Sequence, residues 1–348
     1  MKKRGLAIVL AAVLGMVSFS GCSREAMKLY QQANKDLEHG SYEYALQEFL
    51  ASVQNEINIP ESYRGAGISE LRMGNYEQAI EYFTSALDCE KVGKAMRKDL
   101  LEYRASAEFK IGQFERAMID CQTLAAEYEL DADGCYLIGK VALSLDSYGE
   151  AAMYFQQAYE QDSTYDMAIQ IYQAYIERDM EADGTAYLET ALLNEPKKAE
   201  DYCDRGLVYY YMEDYETAAS ELVEATKQGS KEALLYLGMV YLAKNDVSNA
   251  RAMYQEYIFK GSSPAKGYNG LVLCDIREKN YPNALVNIES GIASANTEEM
   301  QNLLFNEVVV YEKQLDFATA LQKAQEYLKI FPGDEAMEKE AAFLKTRV

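Results

Sequence analysis

The chain of 348 residues has no tryptophan, one histidine, five prolines and six cysteines, and each shortage removes a class of function. With His39 alone, no two-histidine metal site can form, and its place before the turn Gly40-Ser41-Tyr42 reads as a solvent-facing helix end. The cysteines lack CxxC and Cys/His spacing, so neither a zinc site nor a disulfide framework is expected. Cys121 reads as a small core residue; a bridge from it to Cys135 across adjacent helices stays open. No phosphate-cradling glycine loop or nucleophile motif occurs, and carboxylate pairs are too common here to be diagnostic. The expectation is therefore a non-enzyme without metal or cofactor. Positive charge is also scarce, with 34 basic against 56 acidic residues and a net charge of −22, so nucleic acid is not an expected partner. Strand-like Val/Ile/Thr runs are missing. The longest apolar run, Leu6 to Phe19, is about 14 residues, short of the ~20 that a spanning helix needs.

That run is nonetheless informative, because Lys2, Lys3 and Arg4 precede it and Ser20-Gly21-Cys22 closes it. This is the anatomy of an export signal. The closing residues resemble the lipobox of bacterial lipoproteins, with Phe19 where that family usually has leucine. The resemblance implies cleavage before Cys22 and lipid attachment to its thiol; an ordinary secretory signal with Cys22 as a bystander is the alternative. Two or more acyl chains would anchor stably. The expected layout is a signal peptide at 1–21, a lipidated tether at 22–26 and an extracytoplasmic body held at the cell membrane. Residues 1–21 hold three basic and no acidic residues, leaving 31 basic against 56 acidic ones in the body, a net of −25.

The body has an internal period. Ala45, Ala79, Ala117, Ala151, Gly184, Ala218, Ala250, Ala284 and Ala320 recur at steps of 34, 38, 34, 33, 34, 32, 34 and 36 residues. A period near 34 means stacked helical hairpins, which build extended binding surfaces in place of closed pockets. Around this column run further matches: Gly67, Gly74-Asn75-Tyr76, Phe83 and Ala86; Gly139, Tyr148, Phe155 and Ala158; Gly206, Tyr209, Tyr215 and Ala225. Pro196 and Pro332 end their units in one register. From about Ala26 to Val348 the chain resembles the tetratricopeptide family, whose units carry small residues at positions 8, 20 and 27 and a glycine-type turn near 15. The resemblance implies an all-α fold, a right-handed α-solenoid of about nine hairpins over 27–332, and a capping helix over 333–348.

Some positions depart from that pattern. Tyr172, Val272 and Val308 stand at position 8, and Tyr257 and Tyr327 at position 27, so those hairpins are expected to be splayed or shifted. Residues 178–192, with Gly184, form the weakest expected hairpin. The step of 38 predicts a longer loop near Glu90–Lys94 and a hinge there.

The family binds peptides along the concave side lined by the first helix of each unit. Carried over residue by residue, the candidates are Tyr136 and Lys140 in the fourth unit, Gln173 and Glu177 in the fifth, Asp204, Tyr210 and Tyr211 in the sixth, and Tyr236 and Met239 in the seventh. Ile169, Cys203 and Leu242 fall on the same register. Among the groove positions of these units, Asp133, Asp166, Glu177, Glu200, Asp204 and Glu232 face Lys140 alone. Two readings stay open. The carboxylates attract basic segments of a protein or peptide partner, or Glu61, Asp99, Asp133, Asp166, Glu200 and Glu232 merely occupy first helical turns, where the dipole favours an acid. Glu177 and Asp204 escape the second reading. The function expected is a membrane-anchored interaction scaffold of unknown oligomeric state; the alternatives are a receptor for a small solute or glycan, and a structural spacer.

Overall fold

The computed structural model describes residues 22–331 and 334–348; the expected signal peptide at 1–21, Pro332 and Gly333 lie outside the described residues. Every described element is a helix. The helices pair in chain order: α1 (Cys22–Glu38) with α2 (Tyr42–Gln54), α3 (Ile59–Met73) with α4 (Tyr76–Leu87), and α5 (Lys94–Lys110) with α6 (Phe114–Glu127). Next come α7 (Ala132–Ser144) with α8 (Tyr148–Gln161), α9 (Tyr165–Ile176) with α10 (Glu181–Ala191), and α11 (Ala199–Tyr211) with α12 (Tyr215–Lys227). The last pairs are α13 (Glu232–Ala243) with α14 (Val247–Lys260), α15 (Pro264–Arg277) with α16 (Tyr281–Ile292), and α17 (Thr297–Lys313) with α18 (Phe317–Ile330), and α19 (Glu335–Lys345) packs on α18. Residues 22–26, expected as a tether, lie within α1.

The chain divides into two compact units, one ending at Leu100 and one running from Leu101 to Val348. The expected long loop is present between α4 and α5, but the division falls inside α5 and not in that loop.

All nine hairpins turn in the same way. Gly40, Gly74, Gly112, Asp146, Asp179, Glu213, Asn245, Lys279 and Leu315, each five residues before the alanine column, are left-handed, with φ between 56° and 82°. The next residue's amide donates five residues back, as from Asn75 to the Glu70 carbonyl at 2.9 Å and from Asp316 to the Tyr311 carbonyl at 3.0 Å, which closes the helix end. Glycine is used in the first three units, and the later six hold a side chain in a conformation that costs about 1 kcal/mol or more. The turn geometry is therefore imposed by the stacked helices and not by the turn residue.

The eight column alanines are fully buried. Beside them, position 8 on the first helix meets position 24 on the second. A Cβ at Gly67, Gly139, Gly206 or Gly238 would stand 2.5 or 2.6 Å from Phe83, Phe155, Leu222 or Tyr254. Where position 8 is large, the facing register holds an aliphatic residue and no aromatic ring: Leu188 opposite Tyr172, Ile288 opposite Val272, and Ala324 opposite Val308, all buried. Tyr172 also needs Gly184, whose Cβ would lie 3.0 Å from the Tyr172 Cα. The hairpins expected to be splayed thus form by exchanging volume across the helix pair, and the fifth hairpin is complete.

Tyr257 and Tyr327 are also accommodated. Gly261 leaves room for the Tyr257 ring, and its hydroxyl donates to Glu232 Oε2 at 2.8 Å. Tyr327 donates to Asp334 Oδ2 at 2.6 Å, which ties α18 to the N-terminal cap of α19.

Ion pairs recur 16 residues apart between the two helices of a unit: Arg104 with Asp120 at 2.7 Å, Arg205 with Glu221 at 3.2 Å, and Lys323 with Glu307 at 3.1 Å, the last with the signs reversed. Beside the first pair, Glu108 is buried and its Oε2 has no hydrogen-bond partner. Burial, then Asp120, pushes its carboxyl up to about 7 against the opposing Arg104 and Arg116. The native state therefore binds this proton below about pH 7, whereas the unfolded chain binds it only below the ordinary glutamate value of 4.5. Stability should rise as pH falls through that window and be lowest above it. Glu108→Gln is expected to raise stability by ~1–2 kcal/mol at pH 8 and change it little at pH 5. Urea unfolding of both proteins at the two pH values checks this; an equal shift at both would show that the charge is not the cause.

Candidate functional site

Within residues 101–348 the first helices touch one another in order, from α7 through α9, α11, α13 and α15 to α17. Polar rungs cross between them. The Tyr136 hydroxyl donates to the Gln170 carbonyl at 3.2 Å, Gln173 Nε2 donates to the Tyr211 hydroxyl at 2.6 Å, and Asn306 Nδ2 donates to Asn269 Oδ1 at 2.8 Å. Such rungs satisfy side chains that a periodic sequence would leave facing solvent.

The candidate residues fall into two clusters. In the first, Lys140 Nζ lies 4.7 Å from the Phe109 ring centroid and 5.7 Å from that of Tyr136, which itself packs on Phe155 at 5.8 Å. Burial holds the lysine below its ordinary range, opposed by Glu177, the exposed C-cap of α9. Burial, then Glu177 and Asp166, pushes the Tyr136 phenol up.

In the second, Tyr211 packs against Tyr172 at 5.3 Å and Tyr210 at 5.6 Å and accepts from Gln173. Asp204 lies half-buried on the same helix without a hydrogen bond or ion pair, and burial, then Asp166 and Asp201, pushes its carboxyl up to about 6. Burial, then Cys203, Asp204, Glu232 and Tyr211, raises the phenol of half-buried Tyr236. Tyr210 leans on Tyr215 of α12 at 5.8 Å. Met239 is half-buried on α13.

Several expectations need correcting. Ile169, Cys203 and Leu242 are buried among helices and do not face outward. Asp99 is not in a first turn, since α5 starts at Lys94; it pairs with Arg64. Glu232 is occupied by Tyr257 and by Ser262, whose Oγ donates at 2.7 Å. Asp133, Asp166 and Glu200 do stand in first turns. Cys121 and Cys135 are not joined in a disulfide, nor are Cys89, Cys203 and Cys274, and burial pushes Cys121 up to about 12.

The unit ending at Leu100 contains a feature the sequence did not single out. A cavity of about 300 Å³ opens between α1, α3 and the start of α5, lined by Tyr30, Asn34, Glu61, Arg64, Met96 and Asp99. The register that located the central candidates includes these positions and could have found it. Among the described residues no group of three His, Cys, Asp or Glu is placed to hold a metal, and no helix is long and apolar enough to cross a membrane.

Comparison with known proteins agrees with this architecture. Models of the tetratricopeptide repeat match residues 64–132, 132–165 and 203–265. The fifth, eighth and ninth hairpins, where position 8 is Tyr172, Val272 or Val308, lie largely outside the matches. No curated protein matches the sequence. The crystal structure of a tetratricopeptide repeat protein from Parabacteroides merdae is similar with a TM-score of 0.50 at 18% identity, over 72% of this chain and 99% of that one. MamA from Desulfovibrio magneticus gives 0.42 at 19%, over 48% and 93%, and yeast Tom70 gives 0.31 at 13%, over 93% and 96%. The chain therefore carries tetratricopeptide repeats in residues 64–165 and 203–265, and its fold is that of a tetratricopeptide α-solenoid.

Proposed function

We propose that this protein is a lipid-anchored interaction scaffold on the outer side of a bacterial membrane, which binds a basic segment of a partner protein along its first helices. The observation that carries the reading is Asp204, a half-buried carboxylate on which Lys198 acts without an ion-pair contact, set among Tyr211, Tyr236 and further acids. A carboxylate removed from water without a partner is costly, and a lysine or arginine side chain would relieve that cost while its stem covers the tyrosine rings. Support for the anchor comes from the sequence alone: the basic start, the apolar run and Ser20-Gly21-Cys22. A glycan receptor would present open, coplanar ring faces, whereas Tyr172 and Tyr211 are inclined at 51° and Tyr210 and Tyr211 at 73°.

The test is a crosslinking capture from membranes, comparing the wild type with a variant carrying Tyr210→Ala, Tyr211→Ala and Tyr236→Ala, and with Cys22→Ser. Loss of one enriched protein from the tyrosine variant, with thermal unfolding retained, is the expected result. Cys22→Ser should move the protein from the membrane to the soluble fraction. Identical captures from wild type and tyrosine variant would remove the interaction from this face, and unchanged fractionation of Cys22→Ser would remove the anchor.

A further inference from the structure

Most charges that this chain withdraws from water are matched internally: Asp120 to Arg104, Glu221 to Arg205, Asp275 to Arg251, and Glu307 to Lys323. Two of the half-buried charges on the first helices, both among the candidate groove residues, are not. Asp204, on α11, is one. The other is Lys140, on α7, which meets only the ring faces of Phe109 and Tyr136. Ring faces attract a cation but accept little from its three N–H groups. Glu177 acts on this lysine without an ion-pair contact, and Lys110 repels it. In a chain with 56 acidic residues, a sheltered lysine without a hydrogen-bonded carboxylate is conspicuous.

We infer that the partner segment is bipolar: it lays one carboxylate against Lys140 and one lysine or arginine side chain against Asp204, in extended form, with the two charges about five or six residues apart. The spacing follows from the helices. α7, α9 and α11 are successive contacting helices, so two steps of ~8–10 Å separate the two charges by ~16–20 Å. An extended chain covers that at ~3.3 Å per residue. A single carboxylate suits Lys140 better than a dianion, because Glu177 lies close enough to repel the second charge. The two charges also give the groove a direction, since a segment bound in reverse would bring like charges together at both ends. The inference rests on the proposed groove function and adds the composition and spacing of what the groove holds.

A displayed library of random 12-residue peptides, selected on the full chain in detergent micelles, tests it. The expected result is enrichment of an acidic residue and a Lys or Arg five or six positions apart. Lys140→Gln should remove the acidic preference alone, Lys140→Glu should replace it with a basic one, and Asp204→Asn should remove the basic preference alone. Each change is expected to be at least about tenfold in enrichment, with unaltered thermal unfolding. Enrichment of basic residues only, indifferent to both Lys140 variants, would overturn the bipolar inference and leave the groove reading standing. Absence of any enrichment would overturn it too; the capture experiment then decides the groove reading, which also fails if the tyrosine variant captures the same proteins as the wild type.

Discussion

Gly139→Val is expected to destabilise the protein by ~3 kcal/mol or more, and Phe155→Ile in the same chain to return most of that loss. A Cβ at residue 139 would lie 2.6 Å from Phe155 Cδ1, well inside van der Waals contact, and the ring is fully buried. The pairing of Val272 with Ile288 shows that the same two positions tolerate the opposite division of volume. Phe155→Ile alone should leave a cavity and cost ~1–3 kcal/mol. The two single losses should therefore exceed that of the double variant, a coupling of ~2 kcal/mol or more by urea unfolding of all four proteins. A double variant no more stable than Gly139→Val would show that the volume exchange among repeats is incidental.

Arg251→Met should cost ~3–5 kcal/mol, because it strands a charge. Asp275 is fully buried, its Oδ1 2.7 Å from Arg251 Nη2 and its Oδ2 2.7 Å from Asn287 Nδ2. The same guanidinium reaches Glu278 at 2.6 Å, so it ties α14 to α15 across the boundary between two hairpins. Without the arginine, one hydrogen bond from Asn287 remains to offset the burial of a full charge. Adding Asp275→Asn to Arg251→Met should recover ~1–2 kcal/mol by removing that charge, although the side chain stays polar. A loss below ~1 kcal/mol for Arg251→Met would mean that water reaches Asp275 and that the pair is ordinary surface electrostatics.

Much of the fold was legible in the residues, for a reason that Ala151 and Phe155 illustrate. Helices can approach only where a small residue stands at the crossing, so the contact leaves a periodic mark in the sequence. The mark is lost where the requirement is shared. The facing positions fill the contact together, so Tyr172 with Gly184 and Leu188 packs where another unit has Gly139 with Ala151 and Phe155, yet reads as a departure. The turns hide in the same way, since Lys279 and Leu315 adopt the conformation that Gly74 adopts and nothing in their chemistry signals it.

The candidate site was legible in position and not in state. The register placed Tyr136, Lys140, Gln173, Asp204, Tyr211 and Tyr236 on first helices, where they are found. It could not separate Cys203, which is buried, from its neighbour Asp204, which is not. Nor could it separate the free Asp204 from Glu232, which accepts two hydroxyls from the following helix and loop.

By itself the sequence determined the hairpin period, the small-residue contacts and the acidic balance, because each is a local or strictly repeated requirement on residue type. Which charges are matched, which thiols and tyrosines are enclosed, and how an irregular unit recovers its packing were decided only by the tertiary structure. Those depend on which side chains from different helices come together, and a one-dimensional pattern constrains that sum without fixing its parts.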